Sequence, residues 1–468
     1  MIDLYLLIPE IVLVVMALLL ILTTRRIQHA GTAVACVIFA AVSSVILGWT
    51  FSSYGPESGF GGTITGDGYA RFFQVIFAAN LALVALLSMR YFDTESVRPG
   101  EYHALLLLAS TGMMLSAAAL DLLTLYLGLE LMTLCSYILV GITRDRSASN
   151  EAAIKYFLLG SLASALMLYG ISLSYGVTGT TSFSAIASAV SERSLDQQPL
   201  LLVGMVLVGV GLAFKVAAVP FHAWAPDAYQ GASTPVAAFL AAGSKAAGIA
   251  ALGRVCQVAF SPDQHVWIDI MVVLAALSII IGSILALSQS NMKRLLAYSS
   301  IAHIGYVLLG LIAGTPGGVV ATMSYAFFYA FMTLGAFGVV VGLGPRGENL
   351  VGYRGLAARA PGVASLMFLF LLSLTGIPLT SGFIAKFGVI QSAVQAGHIT
   401  LAVLAVVFSV VSAFFYLRVV VLMYMNEPKE TTAVRFPVGV SAALAIAAFV
   451  TIVGGIFPDS FVMWAVPP

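Results

Sequence analysis

Long apolar runs, separated by short polar stretches, repeat along the whole chain. A helix needs about 20 mainly apolar residues to cross a bilayer core. Fourteen segments meet that length: 4–24, 30–50, 68–90, 103–120, 122–142, 153–176, 200–221, 232–256, 268–288, 295–313, 319–343, 362–390, 399–425 and 436–457. The pattern predicts an all-α polytopic membrane protein with about 14 transmembrane helices. The longest polar stretch between spans, 177–199, is rich in Ser, Thr and Gln. No loop is long enough for a soluble domain, so flavin, nicotinamide or iron–sulfur chemistry has no evident home in the chain.

Two spans contain a mid-segment proline with polar company. The seventh reads FKVAAVPFHAW around Pro220, and the twelfth reads LTGIPLTSGFIAKF around Pro378. Proline removes a helix hydrogen bond and frees a carbonyl. At membrane depth, such irregular backbone is tolerated only inside protein or beside a watery cavity. Helices 7 and 12 are therefore expected to be broken. Five spans in each half, 4–8 and 9–13, give the second copy the opposite topology, which is the layout of an inverted-repeat transporter. The expected units are 1–102 (helices 1–3), 103–258 (first repeat), 259–425 (second repeat) and 426–468 (helix 14).

Charge distribution orients these spans. If the N-terminus lies outside, the inner loops hold Arg25, Arg26, Arg90, Arg98, Arg144, Arg146, Lys293, Arg294, Arg346, Arg354, Arg359, Lys429 and Arg435. The outer loops hold only Arg193 and Arg254. That asymmetry follows the positive-inside rule and puts both termini on the outer side of the membrane. The opening MIDLYLLIPE carries acids and no basic n-region, so it reads as a first span rather than a cleavable signal. The composition agrees: 60% of the 468 residues are hydrophobic, 9% are charged and the net charge is +1. Nothing in that balance suggests a nucleic-acid partner. Cys36, Cys135 and Cys256 are far apart in apolar segments and suggest neither a disulfide framework nor a metal site. The string GLGPRG at Gly342 follows no strand, so it does not read as a dinucleotide loop.

The candidate chemistry lies in the few charges inside spans. Glu130, Lys155, Lys215, Lys245 and Lys386 fall in apolar segments, where ionisable groups are costly and usually mark an ion or proton path. Glu130 is the one acid expected deep in a span. Glu130 and Lys215, on nearby spans, form an expected pair whose separation and re-formation can drive proton release and uptake. Lys245, among Ala, Gly and Ser, supplies a second titratable site beside Lys215. Lys386 is the matching site in the second half. Lys155 lies near the inner end of its span, where snorkelling to the interface is an equal alternative. His303, preceded by Tyr298, Ser299 and Ser300, is either a relay or a satisfied buried histidine. His222 follows the break at Pro220 and its role stays open. Arg71 and Arg418, near span ends, read as interfacial anchors.

The run from Phe214 to Gly248, with KRLLAYSSIAHIGY at 293–306, resembles the antiporter-like proton-pumping subunits of respiratory complex I. Within that family, the opening LIPEIVLVVMALLL, the stretch KYFLLGSLASALMLYG and the lysine of GFIAKF are similar to the subunit N (subunit 2) type. The resemblance implies a charge pair at Glu130 and Lys215, a central lysine at Lys245, an outlet-side residue at Lys386, and a polar axis including Lys155 and His303. It implies proton translocation coupled to quinone reduction in an NADH–quinone oxidoreductase. NADH, FMN, iron–sulfur clusters and quinone would be handled by other subunits, with no cofactor bound here. The implied partners are the lipid bilayer, antiporter-like subunit M, small membrane subunits such as K and J, and the lateral helix of subunit L. The alternatives are the D-type subunit of a multisubunit cation/proton antiporter, or a non-pumping structural subunit.

Overall fold

The computed structural model describes residues 2–25, 29–51, 57–89, 97–192, 198–261, 264–428 and 436–465. Arg26, Arg90, Arg193, Lys429 and Arg435 of the orientation pattern lie outside the described residues. The architecture is almost entirely helical among the described residues. A 3-10 turn, Ile2–Leu7, leads into α1 (Ile8–Thr23), which is followed by α2 (Ala30–Phe51). A two-residue hairpin of β1 (Ser58–Gly59) and β2 (Ile64–Thr65) precedes α3 (Gly68–Leu87). Then come α4 (Pro99–Ala118), α5 (Leu122–Val140), α6 (Ser147–Thr178), α7 (Phe183–Glu192), α8 (Pro199–Val216), α9 (Trp224–Gly231), α10 (Thr234–Phe239) and α11 (Lys245–Arg254). The second half holds α12 (Gln264–Leu287), α13 (Met292–Ile312), α14 (Pro316–Leu343), α15 (Leu356–Arg359), α16 (Pro361–Thr375), α17 (Ser381–Gln395), α18 (Ile399–Met425), α19 (Val438–Ile456) and α20 (Asp459–Val462).

Local chemistry sets the helix ends. Pro9, Pro99, Pro199, Pro235, Pro316 and Pro361 open their helices, where a missing N–H costs nothing and φ is preset. Asp67, Asp121, Asn291 and Thr315 cap the first turns of α3, α5, α13 and α14 with side-chain oxygens; such caps satisfy orphan N–H groups.

Among the described residues, 12 helices are long and apolar enough to cross a membrane. The two expected spans outside that set are α4, which carries Glu101 and His103 near its start, and the pair α16–α17, which is interrupted at Pro378. The helix from Thr234 to Ala259 and α13 are wholly buried, and α14 and α3 mostly so. Around this column, α1, α2, α6, α12 and α18 turn Leu18, Phe39, Leu162, Val273, Val410 and Phe414 outward. An apolar periphery of this kind suits lipid rather than water, and the charged interior is the informative part.

Both expected breaks are present. Helix 7 stops at Val216 and resumes at Trp224, and helix 12 stops at Thr375 and resumes at Ser381. Each break holds a left-handed non-glycine residue, Ala217 at φ 56° and Leu379 at φ 72°. A side chain there costs roughly 1–2 kcal/mol, and residues held so cluster at functional sites. The Val219–Pro220 bond is cis. One further irregularity was not foreseen: α11 is flanked by π-helical turns at Leu240–Ser244 and Val255–Ala259. Single π turns recur at functional sites.

Several sequence expectations need correction. The stretch 177–199 is not simply a loop, because α7 forms in it and buries Phe183, Ile186 and Val190. Arg254 is not a loop residue but the buried end of α11. Lys293 is likewise buried, in the first turn of α13. Glu10, in the first turn of α1, is a further buried acid that the sequence did not single out.

Candidate functional site

The site is assembled around the break in helix 7. Lys215 occupies the last turn of α8 and is buried. Its Nζ donates to Glu130 Oε1 at 3.0 Å and to Thr133 Oγ1 at 2.7 Å, with Ser164 Oγ at 3.5 Å. Glu130 and Thr133 are three residues apart on α5, hence on one face. Ser164, from α6, donates its hydroxyl to the same Glu130 oxygen. The ammonium side chain is 2% exposed and the carboxylate 19%, so the pair is sealed on the lysine side and looser on the glutamate side. A charge-assisted cluster of this kind is strong only while its partners stay in place.

The backbone at the break is bonded partly within itself, Ala217 N to Phe214 O and Ala218 N to Ala213 O at 2.9 Å each, and partly by side chains, as buried polar groups require. Trp224 Nε1 donates to Phe214 O at 2.9 Å, and Ser278 Oγ accepts from Val219 N at 2.9 Å. The carbonyl of Val216, the last residue of α8, accepts from Lys245 Nζ at 2.7 Å. Lys245 starts α11 directly after a π turn, and Gly248, one turn on, lets α11 press against α8. A methyl group at Gly248 would lie 2.7 Å from Val216 Cγ1.

The break in helix 12 is treated the same way. Lys386 of α17 is buried and donates to Thr375 O, the end of α16, at 2.8 Å, and to Ser409 Oγ of α18 at 3.1 Å. Its aliphatic stem lies over Gly376, which has φ 90°, and its Nζ sits 4.6 Å from the Tyr306 ring centre. In both breaks a buried ammonium group rests on the negative end of a half-helix.

His303 lies one turn before Tyr306 on α13. Its Nδ1 is 2.7 Å from Tyr325 OH, its Nε2 is 3.2 Å from Tyr416 OH, and Tyr416 OH in turn bonds Ser299 Oγ. The Tyr329 ring packs 5.0 Å away. Ser300, on the same face of α13, faces the buried hydroxyls of Tyr229 and Tyr329, and Thr333 faces that of Tyr329. His303 is thus tied into a network of phenols and hydroxyls.

The five expected lysine and glutamate positions do not all converge. Glu130 and Lys215 pair, Lys245 joins them through the end of α8, and Lys386 joins the His303 face through Tyr306. Lys155 stands apart: its side chain is 47% exposed and pairs with Glu151 at 2.7 Å and Asp227 at 3.2 Å. His222 lies in the turn between α8 and α9, partly buried. The guanidinium of Arg418, the expected interfacial anchor, donates to Leu287 O at 2.8 Å and Gln289 O at 2.5 Å, at the end of α12. Sequence inspection missed Thr133, Ser164, Tyr325, Tyr416 and Ser409. For Thr133 a signal existed, since it is one turn from Glu130; the others come from distant helices.

The family described as NADH:quinone oxidoreductase/Mrp antiporter, TM, matches residues 119–412, well over half of the chain. The chain belongs to this family. Of its members, "NADH-quinone oxidoreductase subunit N 2" of Rhizobium meliloti is 43% identical over 467 residues, covering 98% of this chain and 96% of that protein. A chain of respiratory complex I from Thermus thermophilus superposes with a TM-score of 0.84 at 32% identity, covering 98% of this chain and 100% of that one. A chain of the Mrp complex from Dietzia superposes with a TM-score of 0.85 at 23% identity, covering 98% and 95%, and at that identity shows a common fold alone. The family region takes in both breaks and every residue from Glu130 to Lys386 described above.

Proposed function

We propose that the chain is the subunit N-type, antiporter-like component of an NADH–quinone oxidoreductase and moves protons across the membrane in response to quinone reduction elsewhere in that complex. One observation carries this reading: the Glu130–Lys215 pair, buried on the lysine side, stands at the end of a broken helix whose last carbonyl holds a second buried lysine, Lys245. When Glu130 approaches, Lys215 is held charged. When Glu130 withdraws, Lys215 faces burial without a counter-charge and gives up its proton. Lys245, which shares the end of α8 through Val216 O, is the acceptor in this reading. His303 with its phenols, and then Lys386, continue a buried polar axis into the second half.

The five-helix repeats divided at 102/103, 258/259 and 425/426, both termini outside, and a cell inner membrane location are part of this proposal. So is a setting among other membrane subunits: subunit M, the small subunits K and J, and the lateral helix of subunit L. NADH, FMN, iron–sulfur clusters and quinone are assigned to the rest of the complex.

Purification of the chain from its native membranes in mild detergent tests the assignment. Co-purification with flavin and iron–sulfur proteins, together with NADH–quinone activity, supports it. A purely membrane-embedded assembly that exchanges cations for protons without NADH would move the chain to the antiporter branch of the family.

A further inference from the structure

Lys155 is the one lysine of the expected axis that no buried group reaches, and its surroundings suggest another task. Its Nζ meets Asp227 Oδ2 at 3.2 Å, while Arg294 of α13 holds the other carboxylate oxygen, Oδ1, at 2.6 Å. Arg294 also donates to Gln230 Oε1 at 3.1 Å. Asp227 and Gln230 are one turn apart on α9, so this short helix is gripped by α6 on one side and α13 on the other. The next residue of α6, Tyr156, stacks on Trp224 at 4.4 Å and 13°. Trp224 starts α9, one turn before Asp227, and its Nε1 holds Phe214 O, one residue before Lys215. A continuous set of contacts therefore runs from Lys155 and Arg294, through Asp227 and Trp224, to the end of α8.

We propose that Lys155 is a positioning residue rather than a proton carrier: with Arg294 it clamps Asp227, and through Trp224 this clamp fixes the broken end of α8 that presents Lys215 to Glu130. The proposal rests on the proton-transfer role of Lys215 given above. The chemistry separates the two roles cleanly. A clamp needs only a fixed positive charge, whereas a carrier must release a proton, and a guanidinium does not do so in proteins.

The test uses the assembled complex in sealed membrane vesicles, with protons moved per NADH oxidised, normalised to the assembled complex. Lys155→Arg keeps the yield within about twofold of the parent, while Lys155→Met and Asp227→Asn each lower it several-fold. The Lys155→Met/Asp227→Asn double variant falls no further than Asp227→Asn alone, because both changes remove one shared contact. A Lys155→Arg yield as low as that of Lys155→Met overturns the proposal, as does a parental yield in Lys155→Met. Where Lys155→Arg does not assemble, the double variant decides, and additive losses overturn the clamp. Lys215→Met is the control for the underlying reading: a normal yield there sinks proton transfer through Lys215 itself. A loss there beside a normal Lys155→Met sinks only the clamp.

Discussion

Lys245 caps Val216: its Nζ donates at 2.7 Å to the last carbonyl of α8, one residue beyond Lys215. The same device recurs at four other cations. Lys386 sits on Thr375 O, Lys293 on Ala232 O, Arg254 on Ala117 O and Arg418 on Leu287 O. Each of these carbonyls lies at or beside a helix C-terminus, where unpaired oxygens and the helix dipole both favour a cation. The difference lies in the counter-charge. Lys293 pairs with Glu348 and Arg254 with Asp67, whereas Lys245 and Lys386 have no salt-bridge partner among the described residues. Lys293 and Arg254 are each locked between a carboxylate and an end carbonyl, whereas Lys245 and Lys386 can lose a proton without leaving a carboxylate stranded.

That distinction predicts a split at Lys245. Lys245→Arg retains donors and charge but cannot release a proton, so the complex should assemble with near-parental thermal stability and a strongly reduced proton yield. Lys245→Met should lose the yield and also stability, by about 1–3 kcal/mol, because Val216 O is left buried without a donor. Melting curves and vesicle acidification on the same preparations check both.

The hydroxyls around Lys215 should matter in proportion to what they hold. Thr133→Val and Ser164→Ala each remove a hydrogen bond to a charged group, which contributes about 1.5–3 kcal/mol. Both should lower the rate of proton translocation while NADH oxidation persists, and Thr133→Ser should recover most of it. Initial acidification rates at saturating NADH measure this. Equal rates in Thr133→Val and Thr133→Ser would remove Thr133 from the site.

Gly376 has two reasons to be glycine. Its φ of 90° disfavours any side chain, and a Cβ would lie 2.9 Å from Lys386 Cδ. Gly376→Val should therefore destabilise the chain by at least the roughly 1–2 kcal/mol of a left-handed L-residue and push Lys386 off Thr375 O. A lowered melting temperature together with reduced proton yield is the expected result.

Asp67→Ala should behave differently, as a pure stability variant. It strands the buried Arg254 guanidinium, which stacks over Tyr69 at 4.7 Å. Breaking one side of a buried pair costs about 3–5 kcal/mol. Less complex should accumulate, while the proton yield per assembled complex stays at the parental value.

Much of this was legible in the sequence because membranes impose strong constraints. Apolar length gave the spans, and Pro220 and Pro378 marked the breaks. The rarity of buried charge singled out Glu130, Lys215, Lys245 and Lys386. What was not legible depends on which face a residue takes and which distant helix meets it. Lys155 sits in an apolar run like the others, yet α6 turns it outward beside Phe157 and Leu158 toward Asp227, 72 residues away. Arg254 looked like a loop residue because the π turn that extends its helix has no sequence signal. Tyr325 and Tyr416 belong to α14 and α18, and only packing brings them to His303.

The central claim is that the Glu130–Lys215 pair drives proton transfer. Its most direct test is the number of protons moved per NADH oxidised by vesicles carrying the assembled complex with Lys215→Ala or Glu130→Ala. The account predicts that both variants still oxidise NADH with quinone as acceptor and move fewer protons for each turnover. A parental ratio in both would contradict it.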